Sequence, residues 1–178
     1  MIVKNLKIKG MHVLNYHNIT TCDMKNGEGL RVVLWVSGCS HKCKNCHNPQ
    51  TWNVNSGIEF DKLALDEVLI ELSKDYHCGL TLSGGDPLHC SNRDALTDLV
   101  KMVKNIHPEK TIWVYTGYTF EEVKNLEIIE YIDVLVDGKY DENLSFPSPK
   151  WCGSSNQRVI DVKESLIQDK VVLYTPAI

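Results

Sequence analysis

Three thiols on one short stretch, Cys39-x3-Cys43-x2-Cys46, are the residues of this chain best equipped to do chemistry. Soft sulfur ligands at that spacing can reach one metal centre from a single loop, without help from distant elements. Three is the informative number. A four-iron cubane held by three cysteines keeps one iron open to a small chelating molecule. A structural zinc site is instead closed by four ligands, and His41 or His47 could supply the fourth. Both histidines also have a plainer reading as polar surface residues or backbone hydrogen-bonders, so spacing alone leaves iron–sulfur and zinc open. A second stretch, Ser83-Gly84-Gly85-Asp86-Pro87, carries two glycines that let a ligand approach the main chain. Its carboxylate and carbonyls suit a positively charged amino group better than a phosphate, and a phosphate loop would need a lysine that is missing. Such turns also commonly do no more than join a strand to a helix.

The elements around these stretches follow from apolar periodicity. Leu30 to Val36 is a β-rich apolar run that ends where the cysteine loop begins. Leu65, Val68, Leu69, Leu72 and Tyr76 keep one helical face, with Asp61 as its cap. Gly79 to Ser83 is a second strand, and a helix from about Asn92 carries Leu96, Leu99, Val100 and Val103 until His107-Pro108 stops it. Thr111 to Thr116 is the third strand. Thr119 and Glu122 have the spacing of a capping box, which predicts a short helix, and Tyr131 to Val136 is the fourth strand. Strands alternating with helices predict an α/β fold with a mostly parallel sheet. Asp137 to Gln157 reads as a surface loop, and Arg158–Val162 and Val171–Tyr174 as late strands separated by a polar helix or turn. The cysteine loop, the Gly-Gly-Asp turn, Thr116-Gly117-Tyr118 and Asp137-Gly138-Lys139 would then share the carboxyl edge of the sheet, where ligands of such folds bind. Trp35 and Trp113 read as core.

Composition narrows the function. The chain has 178 residues, 43% hydrophobic and 24% charged, which suits one domain, residues 1–178. With 19 Lys+Arg against 23 Asp+Glu the net charge is -4, so the basic excess expected for nucleic-acid or anionic-membrane binding is absent. No run of eighteen apolar residues appears, and Met1 to Gly10 alternates apolar with polar residues where a secretory signal would need an unbroken apolar core. These features predict a cytoplasmic protein. In that reducing compartment seven cysteines point to metal or chemistry rather than to disulfides. The scattered Cys22, Cys78, Cys90 and Cys152 read as small, partly buried apolar side chains.

Taken together, Cys39-x3-Cys43-x2-Cys46 and Ser83-Gly84-Gly85-Asp86-Pro87 resemble the radical S-adenosylmethionine superfamily. Val36 to Cys39, Cys46-His47-Asn48 with Thr51-Trp52, Leu82 to Leu88, Tyr115 to Tyr118, Val134 to Lys139 and Gly153 to Gln157 extend the likeness. Within that superfamily they resemble the activating proteins of anaerobic ribonucleoside-triphosphate reductases, from about residue 14 to 162. The resemblance implies a [4Fe-4S] cluster on Cys39, Cys43 and Cys46, with S-adenosylmethionine chelating the open iron. Reductive cleavage of that molecule would give a 5'-deoxyadenosyl radical, which makes a glycyl radical on the large reductase subunit. The resemblance further implies that Gly84 and Gly85 receive the methionine amino group through backbone. Main chain around Asn45, Cys46 and His47 would contact the cofactor, and Thr116 would contribute from the next strand end. No catalytic residue is implied beyond the cluster ligands. Asn45 departs from the aromatic residue frequent before the last cysteine and from the glycine of some activases, and Asp86 stands where many members have Glu.

A full barrel needs eight βα units and typically about 250 residues, so the expected architecture is a partial (β/α) barrel, with residues 163–178 as a C-terminal extension. The implied partners are the large subunit of anaerobic ribonucleoside-triphosphate reductase and an electron donor such as a flavodoxin. Neither nucleic acid nor membrane is implied, and a homodimer is compatible with the sequence. Two rivals stand beside this reading: a short radical S-adenosylmethionine enzyme acting on a small molecule, and a zinc-stabilised interaction module.

Overall fold

The four apolar runs form the middle of a seven-stranded sheet in the computed structural model, which describes residues 13–176. They are β2 (Arg31–Val36), β4 (Gly79–Gly84), β5 (Thr111–Tyr115) and β6 (Val134–Asp137), each parallel to the next. Three further strands are antiparallel to their neighbours: β1 (Asn15–Asp23) on β2, β3 (Ile58–Glu59) on β1 and β7 (Arg158–Asp161) on β6. The order is therefore β3-β1-β2-β4-β5-β6-β7. The α/β class holds, but the sheet is mixed rather than mostly parallel. The parallel part is the centre, where apolar residues cover both faces; the polar edge strands pair the other way.

Alternation along the strands divides the interior in two. Val32, Leu34, Val36, Leu80, Leu82, Ile112, Val114 and Leu135 belong to the main core. Against it pack α1 (Lys62–Leu72), through Leu65 and Val68, and α2 (Arg93–Ile106), through Leu96, Leu99 and Val103. Burying such side chains stabilises by about 1.5–3 kcal/mol each. The intervening residues Trp113, Val134 and Val136 form a smaller cluster, joined by Tyr115, Trp151, Cys152 and Tyr174. Trp113 is thus core, as its position in a strand predicts.

The helix signals hold where a side chain caps a free amide. Asp61 accepts from the Leu63 and Ala64 amides at 2.9 and 3.0 Å. At α3 (Phe120–Val123) the Thr119 amide donates to the Glu122 carboxylate at 2.7 Å. Tyr76 lies beyond the end of α1 and is exposed, so it does not extend that helical face. The fourth strand begins at Val134, because Glu127–Tyr131 forms a 3-10 turn. Val162, placed by sequence in the late strand, instead opens α4 (Val162–Gln168), capped by Asp161. Val171–Tyr174 is not a full strand: it makes one bridge, Ile160 to Leu173, flanked by two backbone hydrogen bonds to β7.

Cys22, Cys78 and Cys90 are exposed, which corrects their reading as partly buried; they lie on an edge strand and in turns, where no core is available. Of the four scattered cysteines only Cys152 is half-buried. Among the described residues no helix is long and apolar enough to cross a membrane. The Met1–Gly10 stretch lies outside the described residues.

Candidate functional site

Because β2, β4, β5 and β6 run parallel, the segments that leave them emerge at one edge. The cysteine loop leaves β2 under backbone control. The amide of Ser37 donates to the Asn15 carbonyl at 2.8 Å, that of Gly38 to Thr51 at 2.7 Å and that of Cys39 to Trp52 at 3.0 Å. The loop then turns twice through left-handed residues, Lys42 (φ +48°) and Asn45 (φ +52°), and closes with the Cys46 amide on the Cys43 carbonyl at 3.2 Å. Asparagine and glycine are the residues that enter this region most readily. Asparagine at 45 suits that conformation.

Each of the three sulfurs is met by a backbone amide. The His41 amide donates to Cys39 and the Tyr140 amide to Cys43, and the Asn48 amide reaches the Cys46 sulfur at 3.4 Å. N–H groups aimed at sulfur stabilise the thiolate and tune an iron–sulfur centre. Desolvation works against them. Burial pushes the Cys39 thiol up to about 11, with the Asp86 carboxylate and the other two cysteines adding to it. Burial also raises Cys43, opposed by Lys139. A bound cation would reverse this balance, since coordination deprotonates a thiol outright. Three soft donors, each with an amide at its sulfur, therefore fit an iron–sulfur cluster. Among the described residues no group of three or more His, Cys, Asp or Glu side chains is disposed to hold a metal ion. A cubane, unlike a single ion, takes its thiolates at separate corners.

The Gly-Gly-Asp turn is packed directly under this loop. Gly85 donates to the Val36 carbonyl at 2.8 Å and Asp86 to Gly38 at 2.7 Å. A side chain on Gly85 would place its Cβ 2.6 Å from the Gly38 oxygen, and Gly84 adopts φ +104°, so both positions require glycine. Asp86 is 1% exposed and takes hydrogen bonds from His41, Thr116, Gly117 and Leu88. The Thr116 hydroxyl thus points to Asp86, at 2.9 Å. Asn45 and His47 lie on the exposed outer side of the loop, the His47 ring 5.1 Å from that of Tyr140.

Two contributors carry no chemical signature in the sequence. Asn92, legible only as a helix start, spends its side-chain amide on the Ser37 and Asp86 carbonyls at 2.8 and 2.9 Å, clamping loop to turn. Tyr140 acts through its backbone, which no sequence pattern reveals. Beside Cys43 opens a cleft of about 420 Å³ lined by Lys44, Lys139, Tyr140, Glu142 and Asn143, a polar rather than greasy mouth.

A cysteine trio at the carboxyl edge of a parallel β-sheet centre fits an iron–sulfur protein of the α/β class, and residues 25–160 match the family model described as a 4Fe-4S single cluster domain. The anaerobic ribonucleoside-triphosphate reductase-activating protein of Enterobacteria phage T4 is 51% identical over 147 residues, covering 82% of this chain and 93% of that protein. Its counterpart from Vibrio cholerae is 44% identical over 149 residues, 81% of this chain and 96% of that one. That from Escherichia coli K12 is 43% identical over 150 residues, 82% and 97%. The chain belongs to the family of anaerobic ribonucleoside-triphosphate reductase-activating proteins. The iron–sulfur branch of the sequence reading therefore holds and the zinc branch falls.

Proposed function

We propose that the chain activates anaerobic ribonucleoside-triphosphate reductase in the cytoplasm, with Cys39, Cys43 and Cys46 as the protein ligands of a [4Fe-4S] cluster that binds S-adenosylmethionine. Cys39, Cys43 and Cys46 would hold the cluster, which when bound and reduced would supply the one electron that splits S-adenosylmethionine into methionine and a 5'-deoxyadenosyl radical able to take a hydrogen atom from a glycine of the large reductase subunit. The chain's own residues bind and orient. The amides of His41, Tyr140 and Asn48 steady the thiolates. Main chain at Gly84 and Gly85 receives the methionine amino group, and main chain at Asn45, Cys46 and His47 borders the cofactor. Thr116 serves the same site from the turn that follows β5.

The architecture behind this reading is a single domain, residues 1–178, in the form of a partial barrel whose open side the large subunit covers, excluding water and bringing the target hydrogen close. The tail from 163 onward supports it from behind: Tyr174 packs on Trp113 at 5.2 Å between ring centres. An electron donor of the flavodoxin kind and a homodimer complete the expected partners.

One observation carries the proposal: three cysteines, each with an amide at its sulfur, sit beside a glycine turn at the shared strand edge of a family member. The test is to mix anaerobically reconstituted protein, reductant, S-adenosylmethionine and reductase, and to record electron paramagnetic resonance. A glycyl signal on the reductase is expected. Cofactor cleavage without that signal would favour a small-molecule substrate and overturn the proposal.

A further inference from the structure

An ionised carboxylate offers about four acceptor positions. At Asp86 four donors converge on them: His41 Nε2 at 2.6 Å, the Thr116 hydroxyl at 2.9 Å, the Gly117 amide at 3.0 Å and the Leu88 amide at 2.8 Å. The group is 1% exposed, so no acceptor position remains for a bound molecule. Its partners come from three separate segments: His41 from the loop between two of the cysteines, Thr116 and Gly117 from the end of β5, and Leu88 from the turn after β4. Since a carboxylate only accepts, His41 carries its proton on Nε2 in this pair.

The histidine is fixed on its other sides as well. Its ring stands edge-on to Tyr118, 4.7 Å between centres, and lies so close to Gly117 that a Cβ there would meet the ring at 2.5 Å. A charge-assisted hydrogen bond into a buried acceptor is among the stronger polar contacts. Here it spans from the strand ends to the middle of the cysteine loop.

We propose that Asp86 is a positioning residue: through His41 it locks the cysteine loop onto the ends of β4 and β5 and so sets where the thiolates stand, without itself touching the bound cofactor. The significance for the cluster rests on the function proposed above, whereas the lock itself is a property of the chain. Threonine and glycine at 116 and 117 complete it, one supplying a donor, the other the space for the imidazole. Glutamine at 41 can present an amide N–H close to where the imidazole Nε2 stands, whereas phenylalanine fills the space with no donor.

The test uses the full-length chain stripped of metal, so it does not depend on the cluster. Iodoacetamide labelling of each cysteine is followed by mass spectrometry. His41→Phe and Asp86→Asn should each speed labelling of Cys39 and Cys43 about fivefold, the effect of losing one good hydrogen bond on local opening. The double variant should be no faster than the faster single one, because the two residues act as a unit. His41→Gln should return to the parent rate, and Cys152 should label at the parent rate throughout. If Cys152 accelerates too, the fold has loosened, and Thr116→Val, which removes one hydroxyl, decides: faster Cys39 and Cys43 with Cys152 unchanged supports the lock, and no change overturns it. Parent-like labelling in both single variants, or additive effects, would also overturn it. In reconstituted protein both variants should shift the electron paramagnetic resonance of the reduced cluster together. Weaker S-adenosylmethionine binding in Asp86→Asn alone, with His41→Phe like the parent, would instead make Asp86 a direct contact. If the parent binds no iron, the proposed function fails and the labelling result stands.

Discussion

The same three strands, β2, β4 and β5, are tied together at both ends by a fully buried charged side chain, and the two ends are opposites. At the amino edge Arg31, 0% exposed, donates to Thr81, to Thr111 and to the carbonyls of Glu28, Leu80 and Thr111. Its guanidinium also lies over Trp113, 5.4 Å from the ring centre. Burial lowers it to about 10, and all five of its N–H groups are used within the sheet and the turn before it. At the carboxyl edge Asp86 accepts hydrogen bonds where Arg31 donates them, and its donors come from segments that leave the sheet, one of them the cysteine loop. One hub therefore closes the scaffold on itself, and the other connects it to the site. Similar burial and hydrogen bonding carry different roles because of what the partners belong to.

That contrast can be broken most sharply at the proposed ligands. Cys43→Ala should reduce bound iron and visible absorption of anaerobically reconstituted protein to background, whereas Cys152→Ala, on the other face of the sheet, should keep both. Equal loss in the two would mean that the carboxyl edge is not the special one. Next in size, Arg31→Met should lower stability by about 3 kcal/mol, because it leaves buried carbonyls and hydroxyls without donors. Denaturant unfolding would show it, and below the transition the labelling rates of Cys39 and Cys43 should match the parent. An increase there would show that the amino-edge hub reaches the site.

The smallest effect expected is also at the amino edge. Asp133 is held by Lys104 and Lys163, both at 2.6 Å, and by the Ile112 amide at 2.7 Å. Burial alone would raise its pKa, but those three contacts together outweigh burial and lower it. A carboxylate depressed in the folded state adds stability above its unfolded pKa, about 3.9, and loses it as pH falls through the folded value. Asp133→Asn should therefore cost about 1 kcal/mol at pH 7, with the gap from the parent closing as pH falls below the unfolded value and through the lower folded one. Thermal unfolding against pH checks this; a gap independent of pH would mean that packing, not charge, is lost.

Much of this arrangement is legible in the sequence because it depends on local order. The apolar runs of β2, β4 and β5, the Asp61 cap and the spacing of Cys39, Cys43 and Cys46 are short-range patterns, and the structure keeps them. The parallel core then brings the strand ends together by necessity. What escapes is either weakly patterned or long-range. Strand β1 is polar and half-exposed, and its pairing with β2 is interrupted by register shifts, so alternation hardly marks it. Asp86 can be seen as a carboxylate in a glycine turn, but that four donors use it up depends on residues 30 positions and more away in three of the four cases or contacts. Asn92 matches a helix start and is used instead to clamp two carbonyls. The tail resembles a strand in composition, yet it forms only one bridge, Ile160 to Leu173.

The central claim is that three cysteines, and no fourth protein ligand, hold the cluster, leaving one iron for S-adenosylmethionine. Mössbauer spectroscopy of protein reconstituted with iron-57, recorded before and after adding S-adenosylmethionine, measures this directly. One iron site of the four should change its isomer shift while the other three keep theirs. Four unchanged sites would contradict it.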